Sequence, residues 1–189
     1  VASGIAVVIP SIPPRNQSLL NRCLPSVWSQ TVPPEHVSIA VDHDKEGAGP
    51  TRTRALLATT SEWVAFLDDD DQLLPHHLET LLREQATTEA DIVWPWYTPS
   101  LGGGDPIACN RGKQWDPNVP HTFPITALVR GELARQCHFP PPINAGFSGD
   151  DWEFWMQMNR LGAKFHHVDE VTWVWTIDGQ NTSGAPGRW

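Results

Sequence analysis

Apolar and polar positions fall into blocks along this chain, and the period of the blocks changes in a regular order. Ile5-Ala6-Val7-Val8-Ile9 is a continuous run that stops at Pro10, the pattern of a strand buried on both faces of a parallel sheet. After a proline-rich turn from Pro10 to Pro14, Leu19, Leu20, Cys23, Leu24, Val27 and Trp28 recur at helical spacing. Asn16 or Ser18 stands where a cap belongs, and Pro25 inside the pattern predicts a kink or a late start. Val37 to Val41 reads as a second strand, ending in Asp42-His43-Asp44. A glycine-containing loop, Gly47 to Pro50, then leads into a helix from about Thr51 to Thr60. Trp63-Val64-Ala65-Phe66-Leu67 is a third buried strand and runs directly into Asp68-Asp69-Asp70-Asp71. A helix follows from Pro75, a good first-turn residue, to about Gln85, and Asp91 to Trp96 is a fourth strand. Strands alternating with helices in this way predict an α/β fold with a mostly parallel central sheet flanked by helices.

The second half is less regular. Residues from about Pro99 to His121 are rich in Gly, Pro and Asn and carry no apolar period, which marks a functional loop rather than an idle one. Ile125 to Val129 reads as a strand, and Asp151 to Leu161 as a helix stopped by Gly162. Phe165 to Val168 and Val171 to Trp175 read as two short strands. There is no internal repeat.

Composition narrows the class. At 189 residues, with 40% hydrophobic and 19% charged positions, the chain suits one well-buried globular domain. No apolar run approaches the roughly 20 residues of a membrane span, and Ile5 to Ile9 lacks the basic flank of a signal peptide. The net charge of −9 is opposite to that of a broad nucleic-acid-binding surface. Cys23, Cys109 and Cys137 are odd in number and widely separated. They read as idle thiols in a reducing cytoplasm, not as a disulfide framework or zinc site.

The chemistry concentrates at the four aspartates. Like charges in a row repel, and aspartate is a poor strand former, yet the run sits at the carboxyl end of a buried strand, the edge where open α/β sheets bind ligands. On extended chain Asp68 and Asp70 point the same way, a pair of oxygen donors suited to Mg2+ or Mn2+. The competing reading is a solvated turn ahead of the next helix. Taken in order, "VVIPS", "SVWSQT", "IAVDHD", "TRTRALLATTSEWVAFLDDDDQLLP" and "GDDWEFWMQ" resemble the family 2 glycosyltransferases of GT-A fold. The resemblance covers most of Ile5 to Leu82 and resumes from about Thr126 to Trp175.

That resemblance implies one GT-A domain, 1–189, with a nucleotide-sugar-binding half in about 1–100 and an acceptor-binding half in about 101–189. It implies that Pro10 and Ser11 cradle the nucleotide base, Asp42 accepts the uracil imide N–H, and Arg52 faces the nucleotide. Asp68 and Asp70 fill the ends of a D-x-D motif that holds a divalent cation, with Asp68 or Asp69 nearer the ribose. Asp150-Asp151 stands where the family carries Glu-Asp, so Asp151 takes the place of the general base and Asp150 that of an acceptor contact. The implied reaction is inverting, metal-dependent transfer of a sugar from a UDP-sugar to an acceptor hydroxyl. Three positions depart from the pattern. The second strand ends Asp-His-Asp where Asp-Asp-Gly-Ser is commoner, Asp150 is shorter than Glu, and a late metal-binding histidine is replaced by Trp175-Thr176-Ile177-Asp178-Gly179, where Asp178 is the candidate substitute.

Other residues read more plainly. Trp63, Trp155 and Trp173 belong to apolar faces, whereas Trp94, Trp96 and Trp115 are candidates for stacking on an acceptor. His76-His77 reads as an exposed helical face, His166-His167 as a strand-edge pair, and Gly102-Gly103-Gly104 as a loop outside any phosphate-binding context. A sugar-phosphate nucleotidyltransferase is the rival enzyme class, but the loop from Pro10 to Gln17 has one Arg and no Gly. A non-catalytic nucleotide-sugar-binding module is the rival outside enzymes.

Overall fold

A computed structural model describes residues 4–101, 115–118, 124–141 and 149–177. Seven strands form one sheet in the order β2-β1-β3-β6-β5-β7-β4. β1 (Ile5–Ser11) lies parallel between β2 (His36–Val41) and β3 (Trp63–Phe66). β5 (Ile92–Leu101) and β7 (Phe165–Ile177) form a second parallel pair. The short β6 (Leu128–Arg130) joins the two sets, antiparallel to both β3 and β5. β4 (Gln72–Leu73) closes the far edge against β7.

The apolar runs are continuous because both faces of β1 and β3 are covered. Successive side chains point to opposite faces. Ile5, Val7 and Ile9 pack with Leu19, Cys23, Val27, Leu78 and Leu81 on one side, and Val8, Val64 and Phe66 pack with Leu56, Phe154 and Met158 on the other. The first side is covered by the helical run of residues 13–28 and by α4 (His77–Thr88), the second by α3 (Ala48–Leu57) and α6 (Asp150–Arg160).

Proline 25 has the effect its position predicts. The run after β1 opens as a 3₁₀ turn (Pro13–Arg15), continues as the α-helical turn α1 (Asn16–Ser18), widens into a π turn (Leu19–Cys23), and resumes as α2 (Leu24–Trp28) with proline in its first turn. The Leu24 N–H bonds to Leu19 O, five residues back. Widening at that point suits a proline that brings no N–H and needs room for its ring.

Several elements differ from the sequence expectation. The two strands expected at 165–168 and 171–175 are one strand, β7, whose register against β5 slips at Pro95/Trp96 and Trp96/Tyr97. The acidic pair Asp169-Glu170 falls at that bulge, which explains its polar break in an otherwise continuous pattern. α4 starts at His77, with Pro75 in the preceding turn, where its carbonyl accepts the Thr31 N–H at 2.8 Å. β4 and the one-turn α5 (Gly131–Ala134) had no period long enough to announce them. Most of the expected loop from 99 to 121, including Gly102-Gly103-Gly104 and Cys109, lies outside the described residues, as does Asp178.

Candidate active site

Parallel pairing of β1 with both β2 and β3 delivers Ser11, Asp42 and the acidic run to one edge of the sheet. Pro10 lies within β1, buried and opposite Ala40. Asp42, also buried, accepts the backbone N–H groups of Glu46 (3.0 Å) and Gly47 (2.8 Å), one on each oxygen. It therefore braces the loop that enters α3, a task its sequence position did not reveal.

The four aspartates are not equivalent. Asp69 is anchored from β1: Ser11 Oγ donates to Oδ2 at 2.8 Å, the Ile12 N–H to the same oxygen at 3.2 Å, and Arg15 Nη1 to Oδ1 at 3.1 Å. The same Arg15 nitrogen lies 3.0 Å from Asp70 Oδ2. Asp71 accepts the Thr176 N–H at 2.8 Å, which ties the end of β7 to the run. Asp68 is the outward member, its side chain 33% exposed against 3% for Asp69 and 6% for Asp70. It receives Arg52 Nη2 at 2.7 Å.

Arg52 reaches the second half of the molecule as well. From α3 its Nη1 donates to Asp150 Oδ2 at 2.7 Å, in the first turn of α6. Its guanidinium carbon lies 5.3 Å from the Phe139 ring, which stacks on Phe154 with ring centroids 3.9 Å apart. The close approach needs a glycine. A Cβ on Gly49, one turn earlier in α3, would meet Pro140 O at 2.3 Å and Asp150 Cβ at 3.3 Å. Asp150 is buried beside Arg52, whereas Asp151 is half-buried, and its Oδ1 accepts the Trp152 N–H at 2.8 Å. Gly149, at a φ of +56°, precedes them at the N-cap, so neither aspartate occupies the capping position.

Among the described residues, carboxylates outnumber the cations paired with them at this edge. Burial pushes the Asp70 carboxyl up to about 7; Arg15 opposes the rise, while Asp68 and Asp69 reinforce it. Burial raises Asp71 well above the usual carboxylate range, and Asp70 adds to the effect. Asp69 is raised by burial against the pull of Arg15 and the Ser11 hydrogen bond. Arg52 holds its proton firmly: burial works against the charge, but Asp68 and Asp150 outweigh it. Among the described residues no three His, Cys, Asp or Glu side chains form a self-sufficient metal cage. Small hard cations often take only one or two protein carboxylates and complete their shell with substrate phosphates and water. The all-oxygen donors of Asp68 and Asp70, in a cluster with surplus negative charge, fit such a shared site.

Ser11, Arg52, the acidic run and Asp150 thus meet at one edge, with Asp151 beside them. Arg15 is the participant that sequence reasoning passed over as the loop's one basic residue. Its signal was indirect, since four neighbouring carboxylates at a buried strand end require cations nearby. Two expectations are corrected by burial. Trp94 and Trp96 are core residues, and His77 is fully buried, its Nδ1 2.7 Å from Thr172 Oγ1. Burial lowers the His77 pKa to about 3. Trp63, Trp155 and Trp173 are core as expected. Trp115 stacks on Phe165 at 4.5 Å and lies 5.3 Å from Trp152, next to Asp151.

Comparison with known proteins bears on family and fold. Residues 26–148 match the model of the family described as Glycosyl transferase family 2. Over 100 residues the chain is 27% identical to the putative glycosyltransferase EpsH of Bacillus subtilis (strain 168), covering 49% of this chain and 27% of that relative. Among solved structures it is similar to S. aureus TarS 1-349 in complex with UDP-GlcNAc, with a TM-score of 0.73, 16% identity, and coverage of 95% of this chain and 60% of that one. Another TarS structure gives 0.69 at 16% identity over 92% of this chain and 36% of the other. At such identities the likeness is one of fold, the GT-A fold, and the chain spans only part of each relative. No helix among the described residues is long and apolar enough to cross a membrane. With the family model matching residues 26–148, well over half of its length, this chain belongs to family 2 of the glycosyltransferases.

Proposed function

We propose that the chain catalyses inverting transfer of a sugar from a nucleotide-sugar donor, a UDP-sugar, to an acceptor hydroxyl, with the help of a divalent cation. The observation that carries this reading is the Arg52 bridge. One guanidinium, 2.7 Å from both Asp68 and Asp150, joins the candidate donor carboxylates to the helix that bears the candidate base. In this reading about residues 1–100 bind the nucleotide and about 101–189 the acceptor. Pro10 and Ser11 cradle the base and Arg52 faces the nucleotide. Asp42 accepts the uracil imide N–H, since a carboxylate has about four acceptor sites and the loop takes two of them. The solved complexes of S. aureus TarS with UDP-GlcNAc and with UDP favour uridine.

Asp68 and Asp70 would hold Mg2+ or Mn2+, with Asp68 or Asp69 near the ribose. A bound cation of this kind supplies Lewis-acid stabilisation of the charge that grows on a diphosphate leaving group. Asp151, in the first turn of α6, accepts the proton of the acceptor hydroxyl as its oxygen attacks the anomeric carbon. Asp150 acts at the acceptor side of the same helix end.

The test is release of UDP from UDP-sugars by the full chain, with and without Mn2+. No release from any donor overturns the reading; release unaffected by EDTA overturns its metal component. Asp151→Asn should lower transfer about 10²–10⁴-fold, and transfer at the parent rate removes Asp151 as the base. UDP should bind about tenfold or more tightly than CDP, which lacks the imide donor; equal affinity removes Asp42 from base recognition.

A further inference from the structure

We propose that Arg15 is an exchangeable counter-cation: it clasps Asp70 until a divalent cation arrives, yields that carboxylate, and then pairs with the donor diphosphate. The inference rests on the reading of Asp68 and Asp70 as metal ligands. Its first support is stereochemical. One Arg15 nitrogen serves Asp69 Oδ1 at 3.1 Å and Asp70 Oδ2 at 3.0 Å, so the guanidinium stands on the carboxylate that the cation would need. A second cation at Asp70 and this guanidinium repel one another, and one of them must move.

Arg15 is built to be the one that moves. It ends the 3₁₀ turn Pro13–Arg15, whose backbone is held independently by the Arg15 N–H to Ile12 O at 2.9 Å. Asp69 keeps its donors from Ser11 and Ile12 when the guanidinium leaves, so the loop and the acidic run stay joined. Arg52 offers the contrast, because its two carboxylates come from elements 98 and 16 residues away in sequence and it binds them together.

Charge balance gives the destination. Among the described residues, Asp68, Asp69, Asp70 and Asp150 pair with the guanidiniums of Arg15 and Arg52, and Asp71 accepts the Thr176 N–H. A metal-bound nucleoside diphosphate adds two positive charges at the carboxylates and new negative charge beside them. A planar guanidinium released there finds phosphate oxygens, which it binds in the same geometry as carboxylates.

The experiment compares the parent with Arg15→Met and Arg15→Lys. Mn2+ alone is titrated and its free fraction read by electron paramagnetic resonance; UDP is then titrated calorimetrically at saturating Mn2+. Arg15→Met should bind Mn2+ about tenfold more tightly and UDP about tenfold more weakly, the size expected for gaining or losing one charge-assisted contact. Arg15→Lys should return Mn2+ affinity to that of the parent and restore part of the UDP affinity. Mn2+ affinity that is unchanged or weaker in Arg15→Met, or UDP affinity that is unchanged, overturns the exchange. A second readout needs no folded variant: the Arg15 side-chain N–H resonance of the parent should move on titration with Mg2+ alone, and a stationary resonance overturns the proposal. If the parent binds no Mn2+ with or without UDP, the metal reading itself has failed, and this inference falls with it.

Discussion

Arg15 and Arg52 perform the same chemical task, one guanidinium between two carboxylates, yet the fold gives them opposite degrees of freedom. Arg15 hangs from a turn, and its main partner Asp69 has two other donors. Arg52 is buried between α3 and α6, packed on Phe139, and Asp150 is buried with it. What decides whether an ion pair can exchange is therefore what else satisfies each partner once it opens. A buried charge with an alternative partner can be released at modest cost, whereas one without it holds the structure together.

Four measurements break or sharpen that contrast. Arg52→Met should cost the most, about 3–5 kcal/mol in denaturant unfolding, because it strands the buried Asp150. A loss below about 1 kcal/mol would make Arg52 as dispensable as Arg15. Gly49→Ala should cost about 1–3 kcal/mol by forcing a methyl against Pro140 O and Asp150. Combined with Arg52→Met it should be less than additive, since both act at the contact between α3 and α6; full additivity would separate the glycine from the clasp.

The third is a pH profile at the Arg15 end. Asp70 has a folded pKa of about 7 against an ordinary 3.8. Its stabilising contribution to the metal-free protein is therefore complete below about 3.8 and is lost as pH rises through 7, at no more than about 1.4 kcal/mol per pH unit. His77, lowered to about 3 by burial, works the other way: its contribution is present above its ordinary 6.5 and is lost as pH falls. The unfolding free energy of the parent minus that of Asp70→Asn isolates the first effect and should fall between pH 4 and 7; a flat difference would count against the raised carboxyl. The smallest change is expected from Ser11→Ala, about 0.5–1.5 kcal/mol for one hydrogen bond, because Asp69 retains Ile12 and Arg15.

Legibility in sequence followed burial. β1 and β3 announced themselves because both faces are covered, and α3 and α6 because each packs one apolar stripe on the sheet. The acidic run was visible as chemistry for the complementary reason, being costly where it stood. What stayed hidden was pairing at long range. Arg15 and Asp69 are 54 residues apart, Arg52 and Asp150 98, and no period in the chain reports a contact of that kind. The interrupted pattern of β7 misled because a bulge shifts the register without ending the strand. Trp94 and Trp96 misled because aromatic side chains serve a core and a sugar face equally well.

The three-residue strand β6 has a consequence for how the chain assembles. Among the described residues it is the only strand linking the set β2-β1-β3 to the set β5-β7-β4, and Val129 sits opposite Val64 on one side and Ile92 on the other. As the polypeptide leaves the ribosome, β3 and β5 are complete well before residues 128–130 emerge. Until then each presents an unpaired edge of apolar residues, a template for pairing with another chain. A fragment ending at residue 118 should accordingly self-associate in sedimentation velocity at concentrations where the full chain does not; extension through 130 should lessen the effect by covering the β3 edge, and extension through 177 should remove it by adding β7 along β5. β6 thus shields the nascent edge of β3 from neighbouring chains, and β7, made later, shields the remaining edge of β5.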